Sequence, residues 1–497
     1  MDKYLILLNK RPLFNIYNDH SSSLIIFEYD DALAFIEKLK GSNPSGNYEI
    51  VSKNKYYEQL QKVNMNEKFI EYPKINIEDL LSPEQMKAFN FKMEYNDNNI
   101  NGFSLPIVVK KDSDYIKELS IVLKKYHDFL CNKVAFKDEP NLLKEIECNI
   151  DRINCAIENY YRGDIVKSKL LISEILEQYK SDDENFFVSE LDKSYAFRGI
   201  APFVDLQTDY YEQEYKAMNE EPLSFYKART GNVENRDGML HIPFDMRGLI
   251  ATQRFSIAGI PCIYLGTTSY VCWQELDKPA NQNFNVCSYK FNEKGKKLKI
   301  LNLVISQPVI NGIFNRGRES EQSIQKKLQI KMLKIFPLVI ATSFTVLEEE
   351  RKFKSEYIIS QLIMHCLKEL QIDGIAYLSK KGKNDFQYPY GVNLAIPVFE
   401  GCEYGKYGKV CDSFTLSKPI NYETFLNLNI SDFKEESYIN KIFKEKDEYD
   451  NFNAKVDFND ESTFYNNIKF SDFDNYLVNI ESLKAISSRV TVLKTTP

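Results

Sequence analysis

Five polar side chains stand out by type and setting: Arg229 in FYKART, Arg254 in RFSIAG, Tyr264 in PCIYLG, Glu275 in YVCWQEL and Ser379 in AYLSKK. Arg254 precedes Glu275 by 21 positions and Tyr264 precedes it by 11, so three of them share one short strand-and-helix stretch. Each has an ordinary explanation: a solvated helical carboxylate, a core aromatic, a strand-end hydroxyl closing a turn. Together they suggest more. Glu275 lies between Trp273 and Leu276 in a segment with few other charges, and a carboxylate buried there needs a partner or a polar ligand. Arginine forks suit phosphate or carboxylate oxygens, which they meet with two parallel hydrogen bonds.

These residues must be positioned by strands and helices, and the pattern from about 205 to 420 supplies both. LSFYKART reads as a strand, GIPCIYLG as a buried strand, and TTSYVCWQEL as a helix starting at a Thr or Ser cap. VCSYKF and LKILNLVI follow as strands, SEYIISQLIMHCLKEL as an amphipathic helix, and DGIAYLS and GVNLAIPVF as strands. Upstream, residues 112–200 are helical in pattern. Leu143, Ile146, Ile150, Ile153, Ile157 and Tyr160 recur at steps of three and four, and Val166, Leu170, Ser173 and Leu176 or Tyr179 repeat the spacing after Gly163 and Asp164. That spacing predicts an antiparallel helical hairpin. Residues 1–111 mix strand-like runs (YLILL, SLIIFEY, SLPIVVKK) with the helix DDALAFIEKLKG and read as a small α+β domain without catalytic spacing. The stretch 421–497, rich in Asn, Asp, Phe and Lys, reads as a loosely structured appendage or a cover for the main domain.

The chain of 497 residues, 43% hydrophobic and 27% charged, is globular in composition and long enough for two to four domains. It has no apolar run of roughly 18 residues, and the start lacks a secretory pattern, so cytoplasmic residence without a membrane span is expected. A net charge of −7 offers no basic field for a polyanion, and KGKKLK and SKKGK read as solvated turns. Nine cysteines without a CxxC pair and four scattered histidines (His20, His127, His241, His365) argue for reduced thiols and against a zinc site.

The order of FYKART, RFSIAGIPCIYL, TTSYVCWQEL, DGIAYLS and GVNLAIP resembles the RES domain, named for its arginine, glutamate and serine. The resemblance covers about 200 residues. Two departures are visible: QRFS stands where the family often has GGRWN, and the insertion between Glu275 and Ser379 is longer than in compact members, which would add surface. The resemblance implies an α+β fold with a mixed β core like that of the diphtheria-toxin group of ADP-ribosyltransferases, preceded by a HEPN-like helical region. It implies cleavage of NAD+, as glycohydrolase or phosphorylase, by a growth-arresting toxin or anti-phage effector. Arg229, Glu275 and Ser379 would be catalytic, with Tyr264 and Arg254 binding substrate. NAD+ would be the substrate, inorganic phosphate a candidate co-substrate, and no metal or other cofactor is called for. An antitoxin or internal restraint would be the partner, with a homo-oligomer as a further expectation. ADP-ribosyl transfer to a macromolecule and an inactive binding module are the alternatives. A HEPN nuclease would need arginine followed four to six residues later by histidine; Arg236 to His241 is the one such pair and lies in a turn-rich stretch, outside the hairpin.

Overall fold

The computed structural model describes short pieces of 4–52, then 100–108, 114–133, 139–180, 186–198, 221–312, 322–346, 350–382, 388–400, 405–428, 433–446, 455–458 and 461–480, with Phe136, Ile430 and 484–485. The chain forms two compact units, Met1–Asn96 and Asp97–Pro497. In the first, β1 (Tyr4–Leu8) lies between β2 (Arg11–Pro12) and β5 (Tyr48–Ser52), all antiparallel. A hairpin joins β3 (Phe14–Ile16) to β4 (Ser22–Leu24). Ala32 and Ile36, four apart in the expected helix, are buried, as helical spacing requires. The expected strand SLPIVVKK belongs to the second unit, where Ile107 forms a single parallel bridge to Phe344.

The second unit is built on a ten-stranded mixed sheet. Its central strands are β7 (Phe225–Thr230), β8 (Cys262–Gly266), β12 (Val392–Pro397) and β11 (Gly374–Leu378), in that spatial order. On one side follow β10 (Lys299–Leu303) and β6 (Val188–Glu190); on the other β9 (Phe284–Phe291) and β13 (Phe414–Leu416). Only β10 and β11 pair in parallel among the described strands, and parallel neighbours need a long crossover. Here the crossover carries the helices Gln322–Ala341 and Ile358–Cys366. β12 runs VNLAIP with all six residues buried, a near-continuous apolar strand of the kind covered on both faces.

Three helices precede the sheet: α1 (Tyr115–Asn132), α2 (Pro140–Tyr161) and α3 (Ile165–Lys180). Asp114 caps α1 by accepting from the Ile116 N–H at 3.0 Å, satisfying a donor that has no partner inside the helix. The buried face of α2 includes Ile146, Ile150, Ile153 and Ile157, as the spacing predicts. In α3 the later part of the expected face is buried, with Ser173, Leu176 and Tyr179, but Val166 and Leu170 are 71% and 56% exposed, and Ser168, Ile172 and Ile175 are buried in their place.

α1 and α2 pack on α5 (Gln322–Ala341), whose described side chains from Leu328 onward are almost all buried. This helix of the long insertion therefore supplies interior. Pro337 lies inside α5; lacking an N–H, it leaves the Leu333 carbonyl one turn earlier without its helical donor. The Tyr126 hydroxyl donates to that carbonyl at 2.9 Å, so α1 supplies what the proline removes. After α5 come α6 (Ile358–Cys366) and β11.

The C-terminal stretch closes the sheet's other flank. In α7 (Lys469–Asn479), Phe470, Phe473 and Leu477 are buried in the same core as the β-strands. Phe470 stacks on Tyr422 with ring centroids 4.6 Å apart. Of the two expectations for this stretch, the described part has the character of a cover.

Candidate active site

Glu275 ends α4 (Ser269–Glu275), a two-turn helix that follows β8 directly. Thr268 caps it, accepting from the Val271 N–H at 3.1 Å while donating to the Tyr390 carbonyl at 2.7 Å. Thr267 donates to the Pro389 carbonyl at 2.9 Å, and the Ser269 N–H donates to Asp474 of α7 at 2.9 Å. The helix start is thus fixed to the turn before β12 and to the C-terminal helix. Gly266 lets α4 lie against the strand, because a Cβ there would strike Val271 Cγ1 and Cys272 Sγ. Past Glu275 the chain turns away through Asp277 and Lys278, with φ of 59° and 57°, the left-handed region that only a tight helix exit normally demands.

The half-buried Glu275 carboxylate meets two side chains from the neighbouring strands. Its Oε1 accepts from Ser379 Oγ at 2.7 Å and from Asn393 Nδ2 at 2.5 Å. Ser379 follows β11 and is 2% exposed; Asn393 lies within β12. Register explains the meeting: Asn393 stands opposite Gly266 of β8 on one side and Tyr377 of β11 on the other. Directly opposed residues share a face. The side-chain-free Gly266 leaves that face open beside Asn393, where α4 delivers Glu275. Lys381 Nζ pairs with Asp277 at 2.6 Å, tying the loop after Ser379 to the loop after Glu275.

Tyr264 stands opposite Ala395 on the same face, two positions from Gly266. Its hydroxyl donates to the Phe255 carbonyl at 2.8 Å, and burial raises its pKa well above the ordinary phenol value. The hydroxyl holds the turn at 254–256, and the half-buried ring remains as a flat surface. Phe255 in turn packs on Tyr377, with centroids 4.3 Å apart. Burial, then the nearby Glu275 charge, raises the Tyr377 hydroxyl.

Arg254 is placed differently. Its fork donates to the carbonyls of Thr342 and Phe344, just past α5, at 3.0 and 2.6 Å, and to that of Glu356 at 3.2 Å. It also lies over the Tyr357 ring at 4.8 Å. A cation at a helix C-terminus meets the negative end of the dipole, so Arg254 secures α5 to the turn that carries Phe255.

Arg229 belongs to β7, on the far side of β8 from Asn393. β7 and β8 pair at one position, Tyr226 opposite Gly266, and diverge beyond it, so Arg229 and Tyr264 stand on strands that part from each other. The Arg229 Nη2 donates to the Leu240 carbonyl at 3.0 Å, and Lys227 Nζ donates to the same oxygen at 3.2 Å. Burial, then Arg229, lowers Lys227 to about 8. The structure thus brings Glu275 and Ser379 into direct contact, sets Tyr264 on the same sheet face, and gives Arg229 and Arg254 carbonyl partners.

His241 is buried with its tautomer fixed: Nε2 accepts from the Gly408 N–H at 3.0 Å, and Nδ1 faces the Ile242 carbonyl at 2.7 Å. Burial lowers its pKa to about 4. Arg236 donates to the Leu416 carbonyl, so both members of the RDGMLH pair hold backbone. Among the described residues no cluster of His, Cys, Asp or Glu could hold a metal ion, and no helix is long and apolar enough to cross a membrane.

Three residues at the site went unassigned in the sequence. Lys227, Tyr377 and Asn393 all lie inside the quoted segments FYKART, DGIAYLS and GVNLAIP. The available signal was a polar residue in an otherwise apolar buried strand, which for Asn393 is the plainest of the three.

Comparison with known proteins gives little coverage. No family model matches the chain. Over 214 residues, 41% of this chain and 47% of the relative, it is 36% identical to the "Putative toxin YopC" of Bacillus subtilis (strain 168). The chain spans about half the length of that curated relative. A chain of the M. tuberculosis MbcT-MbcA toxin-antitoxin complex aligns over 43% of this chain and 91% of its own, at 12% identity and a TM-score of 0.23. That likeness is too slight to bear on fold or function.

Proposed function

We propose that the chain degrades NAD+ by cleaving the bond between nicotinamide and ribose, on a core of the ADP-ribosyltransferase kind, and acts as a growth-arresting toxin. The observation that carries this reading is the Glu275 carboxylate, held through one oxygen by Ser379 and Asn393 on the sheet face that also bears Tyr264. The kinship with a protein named as a toxin agrees with it.

The chemistry needs such a carboxylate. Departure of nicotinamide leaves an oxocarbenium-like sugar, the charge problem that glycosidases also meet. Glu275 opposes that developing charge and accepts from the ribose hydroxyls, and a fixed, partly dry setting makes its charge more effective. Ser379 and Asn393 hold the carboxylate so that no reorganisation is required when the bond breaks. The Tyr264 ring offers a face for nicotinamide. On β7, Arg229 supplies a planar fork suited to the diphosphate, with Lys227 as a second cation. Arg254 acts through the backbone it holds. Water or inorganic phosphate then takes the sugar carbon.

NAD+ is followed over time with purified protein, with and without phosphate, beside Glu275→Ala. Loss of NAD+ by the wild type alone supports the reading, and phosphate dependence identifies the acceptor. Equal loss by a folded Glu275→Ala protein would sink it. Label from NAD+ retained on a polymer would favour ADP-ribosyl transfer instead.

A further inference from the structure

We infer that Asn393 is a positioning residue that, with Ser379, pins Oε1 of Glu275 and leaves Oε2 as the oxygen that meets the substrate. This rests on the reading of Glu275 as the working carboxylate. Both donors converge on one oxygen, at 2.7 and 2.5 Å, and Oε2 accepts from no described residue.

The direction of each hydrogen bond follows from its partners. Ser379 Oγ accepts from the Lys381 N–H at 3.2 Å, and a backbone N–H can only donate. The serine hydrogen is therefore directed to Glu275. An ionised carboxylate only accepts, so the amide of Asn393 must present its NH2 group rather than its oxygen.

The two donors differ in how firmly they are mounted. Ser379 follows the end of β11, whereas Asn393 is built into β12 and paired on both sides, to Gly266 and to Tyr377. It is 6% exposed. A two-donor grip on one oxygen fixes rotation of the carboxylate about its last torsion, which is otherwise broad and two-fold. Without Asn393, Ser379 alone would act as a pivot, and the two oxygens would exchange places at the serine.

Two variants test this, Asn393→Ala, which removes the donor without adding bulk, and Asn393→Asp, which keeps the shape but presents an acceptor. The first readout is the carbon NMR signal of the Glu275 carboxyl group at neutral pH on glutamate-labelled protein, assigned by its loss in Glu275→Gln. The inference expects that signal to move in both variants. It also expects kcat for NAD+ loss to fall about 10- to 100-fold, the range for one hydrogen bond to a charged group, with KM within about threefold. A Glu275 carboxyl signal that is unchanged in folded Asn393→Ala and Asn393→Asp overturns the inference, whatever happens to NAD+. A rise in KM at constant kcat also overturns it, because Asn393 would then touch the substrate itself. A signal that moves in the variants, from a wild-type protein that never consumes NAD+, upholds the grip and overturns the proposed function alone.

Discussion

Lys227 and Arg229, two positions apart on β7, donate to one and the same oxygen, the carbonyl of Leu240, at 3.2 and 3.0 Å. One neutral dipole thus serves two cations. Lys227 is 8% exposed, and the groups around its amine include Cys262, Cys287 and Cys411, each raised to about 12 by burial and so uncharged at neutral pH. A buried ammonium in such company loses its proton easily.

That relationship fixes a pH dependence. Lys227 titrates near 8 in the folded chain against 10.5 for an ordinary lysine. Between those values the unfolded chain binds the extra proton, so the contribution of Lys227 to stability increases as pH rises through that window. The charge facing the substrate is lost over the same rise. Melting temperature should therefore increase relative to Lys227→Met between about pH 7.5 and 9.5, while the KM for NAD+ worsens in the wild type and stays flat in the variant. A constant gap between the two melting curves would remove the buried-ammonium account.

Glu275→Gln keeps size and acceptor capacity but removes charge. Electrostatic stabilisation of a developing cation is lost, and kcat should fall on the order of 100- to 1000-fold with little change in melting temperature. Ser379→Ala should cost less, about tenfold, because Asn393 continues to hold Oε1. Initial rates of NAD+ loss decide both, and a Ser379→Ala loss equal to that of Glu275→Gln would mean that the serine has a role beyond holding the carboxylate.

Asp474 links the C-terminal helix to the start of α4. It is fully buried, accepts from the Ser269 N–H and from the Tyr465 hydroxyl, and is raised to about 7, with burial outweighing those hydrogen bonds. The folded chain therefore binds its proton more tightly than the unfolded one. The stabilisation is complete below about pH 4 and is lost as pH rises through about 7, by about 4 kcal/mol at most. Denaturant titrations at pH 5 and 7.5 should show Asp474→Asn with a flatter dependence than the wild type. An equal slope in both would place the titration elsewhere.

The sequence could show which residues carry chemistry more readily than which of them meet. Glu275 and Ser379 stand 104 positions apart and touch only because β8, β12 and β11 are neighbours, an order decided by long-range pairing. That each of those segments forms a strand was legible; their order in the sheet was not. Helix α2 showed its face clearly because its isoleucines recur at one spacing. In α3, IVKSKLLISEIL offers two apolar stripes a step apart, and packing against α2 and α6 selects the one through Ile172 and Ile175. Arg254 illustrates a different limit. An arginine beside a candidate site suggests a ligand contact, yet its partners, the carbonyls near Thr342 and Glu356, lie about 90 to 100 positions away.

The pairing of Tyr126 with Pro337 gives the most direct test of how the helical region is joined to the sheet unit. Pro337 removes the N–H that would have served the Leu333 carbonyl, and the Tyr126 hydroxyl replaces it at 2.9 Å. Tyr126→Phe should leave a buried carbonyl without a donor and cost about 1 to 3 kcal/mol. In a Pro337→Ala background the backbone N–H returns to the helix, so the same loss of the hydroxyl should cost far less. A double-mutant cycle by denaturant titration should thus yield a coupling of at least about 1 kcal/mol between positions 126 and 337. If the two changes simply add, the hydroxyl is not serving the carbonyl that the proline exposes, and the ring alone holds α1 to α5.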